Sequence, residues 1–309
     1  MKPLRPHVAL AIDGGGIRGT LVAQALAVVE AVEGFSFAER AQLFAGTSTG
    51  SIISAALSVG LSAADIHQLY CELGPKIFHP TWRSRLWFLM NYRYSNQPLI
   101  DALKDALGDR RMGDLWQEPS RKDLIVVLHD LVENRARFVK PYKAAYQDWP
   151  IWEAVVASSS VPTYFPVFKG CYIDGGVGSY SNPCYVAAFE SEFCLQDWRP
   201  EDTTLISLGT GSTASGMQVG KADNYRPWHW IGPTLDAFTW DAARQQVDLV
   251  HRFFKSLDFR RFQIELNESV PMDDAASIPR LTEYGNALGE MILNDEWCPP
   301  PDPFQRVEI

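Results

Sequence analysis

Short apolar runs alternate with longer stretches of helical spacing along much of this 309-residue chain. Residues 7–12 read as a buried strand: short, apolar, and stopped by Asp13-Gly14-Gly15-Gly16. Residues 20–33 then carry Leu21, Val22, Ala25, Val28, Val29 and Val32 at helical intervals. The alternation repeats: an apolar run at 43–45, the turn Gly46-Thr47-Ser48-Thr49-Gly50, and a helical pattern over 52–59. Further helices are predicted over 63–73, 98–107, from 151 to 157 and over 183–193. Strands are predicted at 124–128, at Tyr172-Ile173 and at 204–208, and long helices over about 233–254 and 278–293.

Strands alternating with helices predict an α/β fold of three layers, with a mostly parallel central sheet covered on both faces. Nothing reads as a linker, so one domain over 1–309 is expected, with a helical C-terminal part at 230–300. In such sheets ligands collect outside the carboxyl ends of the strands. Three Gly-rich turns, at 13–19, 46–50 and 174–178, follow directly on apolar runs, which sets them along one rim.

Gly46-x-Ser48-x-Gly50 has the spacing of a nucleophile elbow, with Thr47 and Thr49 at the intervening positions. That turn holds a serine at strained angles between strand and helix, and small neighbours let the backbone pass. The same spacing also describes a plain strand-to-helix turn. Asp13-Gly14-Gly15-Gly16-Ile17-Arg18-Gly19 contains G-x-G-x-x-G, the signature of a dinucleotide cradle. A dinucleotide site also needs an acidic residue closing the second strand, where this chain has Gly46-Thr47-Ser48. A P-loop fails at 216–222, where the glycine spacing is one short and Ala222 stands in place of Ser or Thr. The glycines suit an oxyanion hole better, with Arg18 available to hold the loop or meet a phosphate.

A serine nucleophile normally borrows a histidine. None of His7, His67, His79, His129, His229 and His251 falls in a Gly-rich rim turn. Asp174-Gly175-Gly176 is the better candidate for the base, although Asp-Gly pairs are also ordinary turns. An unperturbed Asp, with a pKa of ~3.9, is a poor base for a hydroxyl, so burial and strong oxyanion stabilisation are required.

These three elements, in this order, resemble the patatin-like phospholipase family. Ala157-Ser158-Ser159-Ser160-Val161-Pro162-Thr163-Tyr164-Phe165-Pro166 and Ser207-Leu208-Gly209-Thr210-Gly211 resemble its later segments, so the likeness runs over residues 7–211. The resemblance implies a lipid acyl hydrolase using a Ser–Asp dyad, Ser48 with Asp174. It implies Gly14, Gly15, Gly16, Arg18 and Gly19 as the oxyanion-stabilising loop, and neither metal nor cofactor. Some bacterial proteins resembling patatins are effectors switched on by cyclic nucleotides, which makes such an activator a further implication. The competing readings are a non-catalytic module binding an anionic lipid or nucleotide, and a Ser-His-Asp esterase.

Composition narrows the partners. A net charge of −9 argues against binding a nucleic-acid polymer. Cys71, Cys171, Cys184, Cys194 and Cys298 show no CxxC pairing, and with no signal-peptide pattern or spanning run a cytoplasmic setting is expected. Contact with a membrane phospholipid would then be peripheral. Segment 81–99 mixes Trp82, Trp87, Phe88, Tyr92 and Tyr94 with Arg83, Arg85 and Arg93, as a lid or a headgroup-level docking surface would. Core packing, or the wall of an acyl-chain pocket, gives the same composition; 226–240, with Trp228, Trp230 and Trp240, is a second candidate wall, where core packing is the favoured expectation.

Overall fold

The computed structural model describes residues 1–79, 91–117, 121–213 and 220–298, with backbone alone at 227, 228 and 231–240. The strands are β1 (His7–Ile12), β2 (Leu43–Thr47), β3 (Asp123–Asp130), β4 (Arg135–Val139), β5 (Tyr172–Asp174), β6 (Thr203–Leu208), β7 (Ser212–Thr213), β8 (Asp258–Phe262) and β9 (Glu265–Leu266). The helices are α1 (Gly19–Glu33), α2 (Phe37–Arg40), α3 (Thr49–Ser58), α4 (Ala63–Ile77), α5 (Gln97–Leu107), α6 (Ile151–Ser158), α7 (Cys184–Phe189), α8 (Ile231–Phe253) and α9 (Ile278–Leu293).

The main sheet runs β4-β3-β2-β1-β6-β8, with β5 also paired to β3. β3, β2, β1, β6 and β8 are parallel, while β4 and β5 join antiparallel. The expected α/β/α layering is present, and the period-2 pleat builds it. Val8, Leu10 and Ile12 of β1 point into a core shared with α1, α3, α4, α5, α6 and α9. Ala9 and Ala11 point the other way, toward α7 and α8. Among the described residues no helix is long and apolar enough to cross a membrane.

One detail of register positions the site. β2 ends with Thr47 paired to Val127, and β5 then takes over the same edge of β3, pairing Asp174 with Leu128. The far edge of β3 is held by β4. The carboxyl ends of β2 and β5 therefore meet head to head, so Asp174 arrives on the rim from the opposite direction to Ser48.

Candidate active site

Ser48 joins β2 to α3 with φ 54° and ψ −126°, a conformation non-glycine residues rarely hold. Such a backbone costs on the order of 1–3 kcal/mol and persists only where its surroundings enforce it. Here they do. A Cβ on Gly50 would come within 2.0 Å of the Ile12 carbonyl oxygen, and one on Gly46 within 2.3 Å of the Gly50 carbonyl oxygen. β1, β2 and α3 thus close on one another as no larger residue would allow. The Ser48 N–H donates to Ser158 Oγ at 2.9 Å, and that hydroxyl donates on to the Val127 carbonyl. Thr47 Oγ1 donates to the Tyr180 carbonyl, and Thr49 Oγ1 is hydrogen-bonded to the Tyr70 hydroxyl.

The glycine loop lies against this turn, with a Cβ on Gly14 reaching 3.3 Å from Ser48 Cβ. It is clamped from several sides. The Gly14 N–H donates to Ser181 O at 2.8 Å, and the Gly14 carbonyl accepts from Thr210 Oγ1 at 2.7 Å. Gly16 sits at φ +60° against the Met272 carbonyl. Arg18 Nε donates to the Gly15 carbonyl at 3.3 Å. Behind the loop, Arg261 grips Asp13 with two bonds, Nη1 to Oδ1 at 2.8 Å and Nη2 to Oδ2 at 2.6 Å, and adds Ser207 Oγ at 2.8 Å. Burial pushes the Asp13 carboxyl up and Arg261 opposes it. Gly14 and Gly19 use their N–H groups inside the protein, whereas those of Gly15 and Gly16 have no acceptor among the described residues.

Asp174 is 4% exposed. Its Oδ1 accepts the Gly176 N–H at 2.7 Å, and its own N–H donates to Ser160 O. Oδ2 is buried with no completed hydrogen bond among the described residues. Burial pushes the carboxyl up to about 6, while the Ser48 hydroxyl and the Gly176 N–H pull the other way. Gly175 packs on the backbone of Val127. The arrangement is a serine hydroxyl beside a buried acid whose pKa lies near neutrality, with two free backbone donors close by.

An apolar cleft of about 890 Å³, counting its open mouth, starts at Ser48 and Gly16. Ile66, Leu69 and Leu73 of α4 line one side, and Leu99, Leu103 and Ala106 of α5 line the other. Both sets follow a single helical stripe. No charged residue or histidine lines the cleft among the described residues.

Four of the six histidines are placed elsewhere by their partners. His129 pairs with Ile173 while Asp174 pairs with Leu128, so the pleat turns His129 to the opposite face of the sheet from Asp174. His7 stacks on Trp198, His67 meets Thr282, and His251 lies against Phe259. No group of three His, Cys, Asp or Glu side chains among the described residues is arranged to hold a metal. Residues 80–90, which carry Trp82, Trp87, Phe88 and their arginines, lie outside the described residues. Beyond them Arg93 and Tyr94 are bound in place: their N–H groups donate to Thr163 O and Tyr164 O, and both side chains bond Asp273. The side chains of Trp228 and Trp240 also lie outside the described residues. Trp230 is 46% exposed, which corrects the expectation of core packing there.

Three contributors had no clear signal in the sequence. Arg261 lies in a charged segment, Ser158 in a run of interchangeable serines, and Ser181 acts through its carbonyl.

The model of the patatin-like phospholipase family matches residues 10–188. The chain belongs to that family. It is similar to an intracellular phospholipase A2 of Caenorhabditis elegans, 28% identical over 67% of this chain, though it spans only 20% of that protein. A cGAMP-activated phospholipase of Pseudomonas aeruginosa is 24% identical over 97% of this chain and 93% of its own length. Patatin-17 of Solanum cardiophyllum is 24% identical over 90% and 82% respectively. Patatin-like phospholipases are serine hydrolases of lipid acyl esters, and this chain is an enzyme of that class.

Proposed function

We propose that Ser48 and Asp174 form the catalytic dyad of a phospholipase A or lysophospholipase that holds its acyl chain between α4 and α5. The observation that carries this reading is the half-satisfied Asp174 carboxyl beside a strained serine at the mouth of an uncharged apolar cleft. Asp174 takes the Ser48 proton as Oγ adds to the ester carbonyl. The oxyanion so formed is met by the N–H groups of Gly15 and Gly16, which narrows the donor set of the loop. Collapse of the tetrahedral intermediate breaks the ester bond, and the departing alcohol takes the proton from Asp174. Water then releases the acyl group by the same steps, with Asp174 accepting its proton.

Hydrocarbon burial supports a lipid over a small soluble ester, since each methylene taken from water contributes ~0.8 kcal/mol. The stripe from Leu99 to Ala106 is about 10 Å long at 1.5 Å per residue, enough for much of a fatty acyl chain. Hydrolysis of phospholipid and lysophospholipid vesicles by wild type, beside Ser48→Ala, tests the reading. Activity that survives the substitution refutes it. Ala102→Leu and Ala106→Leu should shift preference toward shorter chains by about tenfold in KM, from one or two excluded methylenes. Unchanged chain-length preference would remove the cleft from the account.

The likeness of the cGAMP-activated relative over nearly the whole chain supports a second element, a response to a cyclic nucleotide. Acyl-ester turnover with and without cyclic GMP–AMP tests it, and equal rates would refute it.

A further inference from the structure

A second cavity opens at the opposite rim of the sheet, where the strands begin. His7 and Asp123, the first residues of β1 and β3, both line it. Asp123 pairs with Leu43, five residues before Ser48, so the cavity lies roughly 16 Å from the serine at about 3.3 Å per residue. It encloses about 1220 Å³ counting its open mouth, and Trp116, Arg121, Gln42 and Trp198 complete its main walls.

Asp123 is 3% exposed. Its Oδ1 accepts from Trp116 Nε1 at 3.1 Å, and Oδ2 has no hydrogen bond among the described residues. Burial, with the neighbouring Glu190 carboxylate, pushes Asp123 up to about 7. At Asp13, by contrast, both carboxylate oxygens are closed by Arg261. At Asp123 only Oδ1 is closed, by Trp116, and Oδ2 is left without a bond among the described residues at the cavity wall.

The walls carry aromatic rings and groups of both charges, with Arg121 and His7 beside the acids Asp123 and Asp197. His7 stacks on Trp198 at 4.7 Å and 20°. The Arg121 guanidinium lies 3.7 Å over the Trp116 ring, and Tyr142 packs on that indole as well. Gln42 accepts the Val8 N–H through Oε1, which leaves its amide nitrogen as a donor. The π-helical turn Glu190–Cys194 leads into the wall that carries Trp198. Turns of that kind concentrate at functional sites.

The stacked rings call for a flat ligand, the open carboxylate oxygen for an N–H donor, and the guanidinium for an anion. A guanine base carrying phosphate supplies all three. We propose that this cavity binds a guanine nucleotide, with Asp123 accepting from the N–H edge of the base and Arg121 meeting the phosphate. Binding stands on the cavity alone, whereas any effect on catalysis rests on the cyclic-nucleotide response proposed above.

The full chain is titrated with GMP, AMP and cyclic GMP–AMP, read by calorimetry and tryptophan fluorescence. The guanosine ligands should bind about tenfold or more tightly than AMP. Asp123→Asn should abolish that preference, because a carboxamide pairs with adenine instead. Trp198→Ala should weaken all three ligands, with circular dichroism checking that the variant remains folded. Failure of the guanosine ligands to bind at millimolar concentration, or binding indifferent to both substitutions, overturns the site. An acyl-ester assay separates the two readings. Stimulation by cyclic GMP–AMP that persists in Asp123→Asn keeps the response but overturns this location. Binding that needs Asp123 without any stimulation keeps the site and overturns the response.

Discussion

Asp13 and Asp174 are two acids on the same rim of one sheet, and the fold treats them in opposite ways. Both are buried, and burial raises both carboxyls. Asp13 has each oxygen closed by the Arg261 fork at 2.8 and 2.6 Å. Asp174 has one oxygen closed by Gly176 and the other left open on the side of Ser48. A closed carboxylate is fixed in charge and position and holds the glycine loop. A half-closed one retains an oxygen that can take a proton, at a pKa low enough to be ionised at neutral pH. Burial is common to both, so what distinguishes the two acids is the unfilled hydrogen bond.

The largest test of that distinction is turnover. Ser48→Ala and Asp174→Asn should each lower kcat by roughly 10⁴-fold, as the loss of one member of a catalytic set does. If Asp174→Asn keeps substantial turnover, the open oxygen has no chemical role and the contrast with Asp13 collapses.

On the closed side, the expected effect is on stability. Arg261→Leu leaves the Asp13 carboxylate buried and unpaired, which should cost about 3–5 kcal/mol in chemical denaturation. The double variant Asp13→Asn with Arg261→Leu should recover part of that loss, since no charge then remains buried. A single variant as stable as wild type would mean that the pair is solvated and not a clamp.

The pH dependence of Asp174 runs opposite to that of a paired carboxylate. Its folded pKa of about 6 lies above the ordinary value of 3.8, so between these pH values the folded chain holds a proton that the unfolded chain has released. Stability is therefore lost as pH rises through this window, by up to ~3 kcal/mol for a shift of about two units. Asp174→Asn removes the ionisation and should be more stable than wild type above pH ~6, with the difference gone below pH ~4. Turnover of wild type should fall as pH drops through about 6, where the base becomes protonated. An Asn variant that is less stable at pH 8 would show that the ionised carboxylate is paired after all.

The same contrast explains what was legible in the sequence. Asp174 and Ser48 sit in glycine turns after apolar runs, and strand periodicity finds β1, β2, β3 and β6 because their burial leaves unbroken apolar stretches. β8 escaped, because Asp258-Phe259-Arg260-Arg261-Phe262 reads as surface. Its arginines are buried through long-range bonds, Arg260 to Lys2 O and Pro3 O, and Arg261 to Asp13. Hydropathy carries no record of such partners. Nor does it carry strand direction: the antiparallel arrival of β5, which brings Asp174 onto the edge vacated by β2, is a matter of pairing along β3. Asp123 was invisible for the same reason as Arg261, since a charged residue opening an apolar strand looks like a strand end.

The smallest expected effect probes the open oxygen itself. The Ser48 hydroxyl lowers the pKa of Asp174 against the larger effect of burial. Ser48→Ala removes that hydroxyl without adding a charge, so the Asp174 carboxyl, followed by carbon-13 NMR, should titrate above the wild-type value of about 6. Asp13 provides the internal control. Its oxygens answer to Arg261 and not to Ser48, so its titration should stay where it is in the same sample. A parallel movement of both acids would point to a general rearrangement of the rim. Movement of neither would mean that the hydroxyl and the open oxygen do not touch in solution, and the proton would then need another route from Ser48.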